Sequence, residues 1–79
     1  MLGKRLAWAR EQQQLKQYWV ADEAGLDRAR YNRIEQGKAK RIFLEEVLCI
    51  CAVVGCSLPW LAYGGRLEPW LPGRAPNHR

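Results

Sequence analysis

Three glycines, Gly25, Gly37 and Gly55, cut the chain into apolar-periodic pieces that are each too short to hold a helix alone. Such pieces must bury their apolar stripes against one another, which points to a small helical bundle. Leu2, Leu6 and Ala9 recur at helical spacing and give a first helix running to about Gln13. Val20, Ala21 and Ala24 define a short second helix that stops at Gly25. Asp27 can cap a third, with Tyr31 and Ile34 on its inner face, and Gly37 ends it. Leu44, Val47, Leu48, Cys51 and Val54 mark a fourth, closed by Gly55, and Ser57 caps a fifth with Pro59 tolerated in its first turn. β-Branched residues are few and show no alternating run, which argues against a sheet. The expected fold is all-α, with five helices in one domain over residues 1–63. From Gly64 the composition shifts to Gly64, Gly65, Pro69, Pro72 and Pro76, so 64–79 is expected to be a tail with little regular structure.

The bulk properties fit that outline. A chain of 79 residues, 48% of them hydrophobic, is enough for one modest core and too apolar for a disordered segment. Cys49, Cys51 and Cys56 are an odd set without the ligand count of a structural zinc site, and the lone His78 sits in the tail. They read as small apolar residues in a reducing compartment, hence the cytoplasm, with no metal and no cofactor expected. The start lacks the apolar stretch of a signal peptide, and the longest apolar run, Val47 to Val54, is too short to span a bilayer. No acid–base pair, nucleophile with histidine or phosphate loop is present, so an enzyme is not expected.

The stretch from Gln17 to Glu35 carries the functional argument. Two short helices that cross steeply need a small residue where they touch, which Ala21 supplies, and a turn of positive φ, which Gly25 supplies. Leu26 plugs the turn into the core. With Tyr31 and Ile34 turned inward, Arg28, Ala29, Asn32 and Arg33 face out, a surface that fits the major groove of DNA. The net charge is +5, and Arg28, Arg30, Arg33, Lys38, Lys40 and Arg41 concentrate nearly half of the 13 basic residues in one short stretch. That clustering is the electrostatic footprint of a nucleic-acid partner.

These residues resemble the lambdoid phage repressor and Cro family, also called the XRE family. The marks are Leu15 to Gln17, Ala21, Gly25, Ile34 with Glu35, Gly37, and the closing run from Val53 to Leu61. The resemblance covers residues 2 to about 64. It implies a five-helix lambda-repressor-like domain that binds palindromic double-stranded operators as a dimer. Carried over by position, Arg28, Ala29, Asn32 and Arg33 read bases, and Asp27 caps the reading helix. Gln17 touches a phosphate or an edge base, and Arg10 and Glu35 form an internal ion pair. Lys16, Arg30, Lys38, Lys40 and Arg41 are expected at the phosphate backbone. The chain departs from the family pattern at Lys16, where a Thr cap is usual, at Gln14, where Gly is common, and at Tyr31, where a branched aliphatic is usual.

A dimer needs an interface, and the apolar surplus of the fourth and fifth helices nominates Cys49, Ile50, Val53, Trp60 and Leu61, unless that surplus belongs to a larger core or is covered by the tail containing Trp70. Trp8, Tyr18 and Trp19 occupy positions that the family leaves polar. They either cover one another or form a second surface for a protein partner. The latter would make the chain an antitoxin-like or co-regulator module.

Overall fold

The computed structural model describes residues 1–76; Asn77, His78 and Arg79, with the end of the expected tail, lie outside the described residues. The order is α1 (Leu2–Gln12), α2 (Gln17–Glu23), α3 (Arg28–Gln36), α4 (Leu44–Val54) and α5 (Leu58–Tyr63), with no strand among the described residues. One core gathers Leu6 and Ala9 of α1, Val20 and Ala21 of α2, Tyr31 and Ile34 of α3, Val47, Ile50, Cys51 and Val54 of α4, and Trp60 and Leu61 of α5. None of the described helices is long and apolar enough to cross a membrane.

The helix ends follow from local chemistry. Asp27 accepts from the Arg30 N–H at 3.1 Å and caps α3, while Ser57 accepts from the Trp60 N–H at 3.3 Å and caps α5. Lys16 caps α2 without any side-chain bond. Glu46 reaches back to the Phe43 N–H at 3.0 Å and steadies the start of α4. Arg5 reaches from α1 to the end of α5, donating through Nε to the Leu61 carbonyl at 2.8 Å and through Nη2 to Ala62 at 2.9 Å. Gln14, in a place where the family commonly has Gly, has φ of 59°, the one non-glycine residue with positive φ among the described residues.

Two contacts fix how the motif helices sit. Gly25 takes φ of 74° at the α2–α3 turn, and the Leu26 N–H then closes onto the Ala21 carbonyl at 2.8 Å. Gly3 lets α1 lie directly on the end of α3: a Cβ there would come within 2.3 Å of the Glu35 carbonyl oxygen and 2.7 Å of that of Ile34. Backbone cannot yield as a side chain does. Gly3→Ala is therefore expected to lower stability by about 1–3 kcal/mol, read from chemical denaturation with an unchanged m-value.

One expectation about the C-terminal half needs correction, and a second gains detail. On α4, Val47, Ile50, Cys51 and Val54 face the core, whereas Leu44 and Leu48 are exposed at 63% and 47%. The apolar stripe is thus rotated from the one read off the sequence, because the helix is apolar on nearly every side and neighbours decide which side is inward. The segment after Gly64 holds no helix but is not loose. Cys56 and Trp70 form an antiparallel β-bridge, with the Ser57 N–H on the Pro69 carbonyl and the Leu71 N–H on the Gly55 carbonyl, both at 2.8 Å. Gln13 donates to the carbonyls of Val54 at 3.1 Å and Arg74 at 2.7 Å, and Arg74 donates to that of Val53 at 3.2 Å. Trp70 stacks on Trp8 with ring centres 5.7 Å apart, and Trp8 also meets Trp60 at 5.6 Å.

Most of the residues nominated for a dimer interface lie inside the chain. Ile50 and Leu61 are core residues and Trp60 is buried beside Trp8. Of the residues nominated, Cys49 is exposed and Val53 half-buried. Cys51 and Cys56 are buried free thiols.

Candidate nucleic-acid interface

The nine residues of α3 divide cleanly. Tyr31, Ile34 and Glu35 are buried, while Arg28, Ala29 and Arg33 are exposed and Asn32 is half-buried at the edge. Arg10, Lys16, Gln17, Tyr18, Arg28, Ala29 and Asn32 line an open groove between α2 and α3. Three of the four side chains expected to read bases are therefore gathered at one groove, and Arg33 is exposed on the same helix.

Behind that face lies a continuous polar network. Arg10 Nε donates to Glu35 Oε2 at 2.7 Å and Nη2 to Oε1 at 3.2 Å, while Nη1 holds the Leu15 carbonyl at 2.8 Å. The pair is enclosed, with side-chain exposures of 14% for Arg10 and 4% for Glu35. The Glu35 carboxylate raises the Arg10 pKa further above its ordinary value. Gln17 Nε2 donates to Glu35 Oε1 at 2.9 Å, and Asn32 Nδ2 donates to Gln17 Oε1 at 3.0 Å. The Gln17 side chain, expected at a phosphate or edge base, is thus engaged on both sides within the protein. The buried Tyr31 hydroxyl borders this network without a hydrogen-bond partner among the described residues. Burial, with the Glu35 charge adding to it, holds the phenol far above its usual pKa, so it stays neutral.

The basic residues sort by what they already hold. Arg28 forms a two-bond fork with Asp22, Nε to Oδ1 at 3.0 Å and Nη2 to Oδ2 at 2.7 Å, and lies 5.3 Å from the Tyr18 ring centre. The guanidinium keeps the Asp22 carboxyl below the usual carboxylate range. Both groups are well exposed, so the fork is a weak, solvated pair. Arg30, expected at the phosphate backbone, is engaged within the protein instead of standing free. Its Nε and Nη2 grip Glu46 at 3.0 and 2.8 Å, Nη2 also donates to the Arg41 carbonyl, and Phe43 covers the guanidinium. That grip ties α3 to the start of α4 and holds Glu46 below the usual carboxylate range. Lys16, Arg33, Lys38, Lys40 and Arg41 are exposed, and their side chains make no ion pair to any described residue.

Sequence reasoning missed Asp22 and Glu46, the acids that occupy two of the arginines. Glu46 carried a signal, since an acid three residues after a helix cap commonly reaches back to it. The spacing of Asp22 and Arg28 across a turn carried none. Trp8, Tyr18 and Trp19 go to separate neighbours: Trp8 to Trp60 and Trp70, Tyr18 to Arg28, and Trp19 to a groove lined by Gln13, Leu15, Val53 and Arg74.

Comparison with known proteins gives one positive result. The family model of a helix-turn-helix domain matches residues 1–61. Neither a curated protein nor a solved structure matches the chain.

Proposed function

This chain belongs to the helix-turn-helix domain family, and we propose from it that the protein is a sequence-specific DNA-binding regulator of the lambdoid repressor and Cro type, acting as a repressor in the cytoplasm. One observation carries the reading: the open face of α3 presents Arg28, Ala29, Asn32 and Arg33 beside the groove, with its opposite face locked in the core. Arginine matches the O6 and N7 acceptors of guanine and asparagine the N6 and N7 edge of adenine. Lys16, Lys38, Lys40 and Arg41 flank that face and contact phosphates on either side.

A single copy reads too little DNA to be selective. The nine residues of α3 span about 14 Å, roughly four base pairs. The molecule's longest dimension is 33 Å, against about 34 Å between the centres of half-sites one helical turn apart. Two copies on a palindromic operator supply the missing contacts. The surface for that pairing moves from the residues first nominated to Phe43, Leu44 and Leu48, exposed at 60%, 63% and 47%, with Cys49 beside them.

The experiment is selection of binding sites from a random duplex library, followed by shift assays on the winning site and its single-base variants. Arg28→Ala is expected to lose about 5- to 150-fold in discrimination at one guanine per half-site. Equal loss on every sequence makes Arg28 a backbone contact instead. Sedimentation of the complex should give two chains per duplex. Absence of duplex binding even at low salt rejects the DNA reading and favours the protein-partner alternative through the exposed Trp8, Tyr18 and Trp19.

A further inference from the structure

We infer that Gln17 is a positioning residue for base reading, holding the Asn32 carboxamide in one of its two orientations so that it distinguishes an A·T pair from T·A. The inference rests on the DNA reading above and deepens it.

A carboxamide end is close to symmetric in shape, and rotation of its terminal torsion exchanges oxygen for nitrogen at little steric cost. Left free, Asn32 would offer donor and acceptor in either order. It is not free. The chain of bonds starts at Glu35, whose carboxylate only accepts and is clamped by Arg10. Gln17 meets that carboxylate at 2.9 Å and must turn its NH2 toward it, which leaves Oε1 on the other side. Oε1 in turn only accepts, so Asn32, at 3.0 Å, must present its NH2 there. The Asn32 Oδ1 then points away from Gln17, and the second Nδ2 hydrogen remains available. Each step allows one direction only, and the anion at the enclosed end sets the sense of the whole chain.

In the major groove, adenine displays N7 as acceptor and N6 as donor, in an order that reverses when A·T becomes T·A. An amide of fixed order matches one of the two. An amide free to flip matches both. Gln17 therefore contributes to specificity without needing to touch a base, which also explains why a helix-opening residue beside DNA has its side chain turned inward.

The test is Gln17→Met, which keeps the length of the side chain and removes both of its hydrogen-bonding ends. Site selection from a random duplex library is run on wild type and variant, with a thermal melt to confirm folding. Wild type is expected to prefer one of A·T and T·A at the Asn32 position by about fivefold or more. In the variant that preference should fall to within about twofold at this position alone, the other positions keeping theirs. A variant with an unchanged preference profile, whether its affinity is equal or uniformly lower, overturns the inference and leaves Gln17 as a phosphate contact or a structural residue. A wild type that enriches no sequence defeats the DNA reading itself, a distinguishable result. Should the variant not fold, NMR of the free wild-type chain decides. A single set of Asn32 side-chain amide signals with a cross-peak to the Gln17 side chain is expected, and its absence overturns the inference.

Discussion

Arg10→Met is expected to destabilise the domain by about 3–5 kcal/mol, the usual cost of stranding one partner of an enclosed ion pair. For a chain of 79 residues the whole folding free energy is roughly 4–12 kcal/mol, so the loss takes a large part of it. The reason lies in what is left behind. Glu35 has a side-chain exposure of 4% and loses both guanidinium bonds, keeping only the amide of Gln17. The Leu15 carbonyl loses its donor as well, which loosens the link between α1 and α2. Thermal unfolding followed by circular dichroism should show a midpoint lower by about 12–40 °C, scaling from the 4–8 °C per kcal/mol of a domain this size. The reverse change, Glu35→Gln, leaves a guanidinium that is 14% exposed, on a stem long enough to turn it toward water. Its cost should be smaller than that of Arg10→Met. A loss under about 1 kcal/mol for Arg10→Met would place the pair among solvated surface bridges and contradict the enclosure seen here.

The parts of this molecule that were legible in the sequence are those fixed by local backbone and packing demands. Gly25 at a positive-φ turn, Ala21 at a helix crossing, Asp27 as a cap and Tyr31 with Ile34 inside are each dictated within a few residues, and together they orient α3. What was not legible depends on partners distant in sequence. Helix α4 is apolar on most of its surface, so periodicity alone could not choose between a stripe with Leu44 and Leu48 inward and one with Ile50 inward. The packing of α2, α5 and the returning tail chose the latter. Trp60 suited either a second copy or cover by the tail, and only the fold shows that Trp70, ten residues on, comes back beside Trp8, which also meets Trp60. Arg30 looked like a phosphate contact because its grip on Glu46 spans sixteen residues. In each case the residue types were right for their chemistry, and the choice of neighbour needed the fold.

The same sorting of arginines makes a numerical claim about salt. Counting every basic residue near α3 overstates the charge open to DNA, because Arg30 is spent on Glu46 and Arg10 on Glu35. Lys16, Arg33, Lys38, Lys40 and Arg41 remain free of ion pairs among the described residues. If each neutralises one phosphate, a copy releases counterions from about five phosphates, and the log–log slope of affinity against salt should be about −4.5 for one copy and about −9 for two. Between 50 and 200 mM salt that is a loss of roughly 500-fold for a monomer and roughly 3 × 10⁵-fold for a dimer, so one titration reports both the charge footprint and the number of chains bound. Substituting Lys38 or Lys40 by Ala should make the slope shallower by about one unit per copy. Arg30→Ala should lower stability and leave the slope where it was, since its charge is neutralised before DNA arrives. A slope shallower than about −2 would mean that these exposed cations are ordinary surface charge and that α3 does not lie against the duplex.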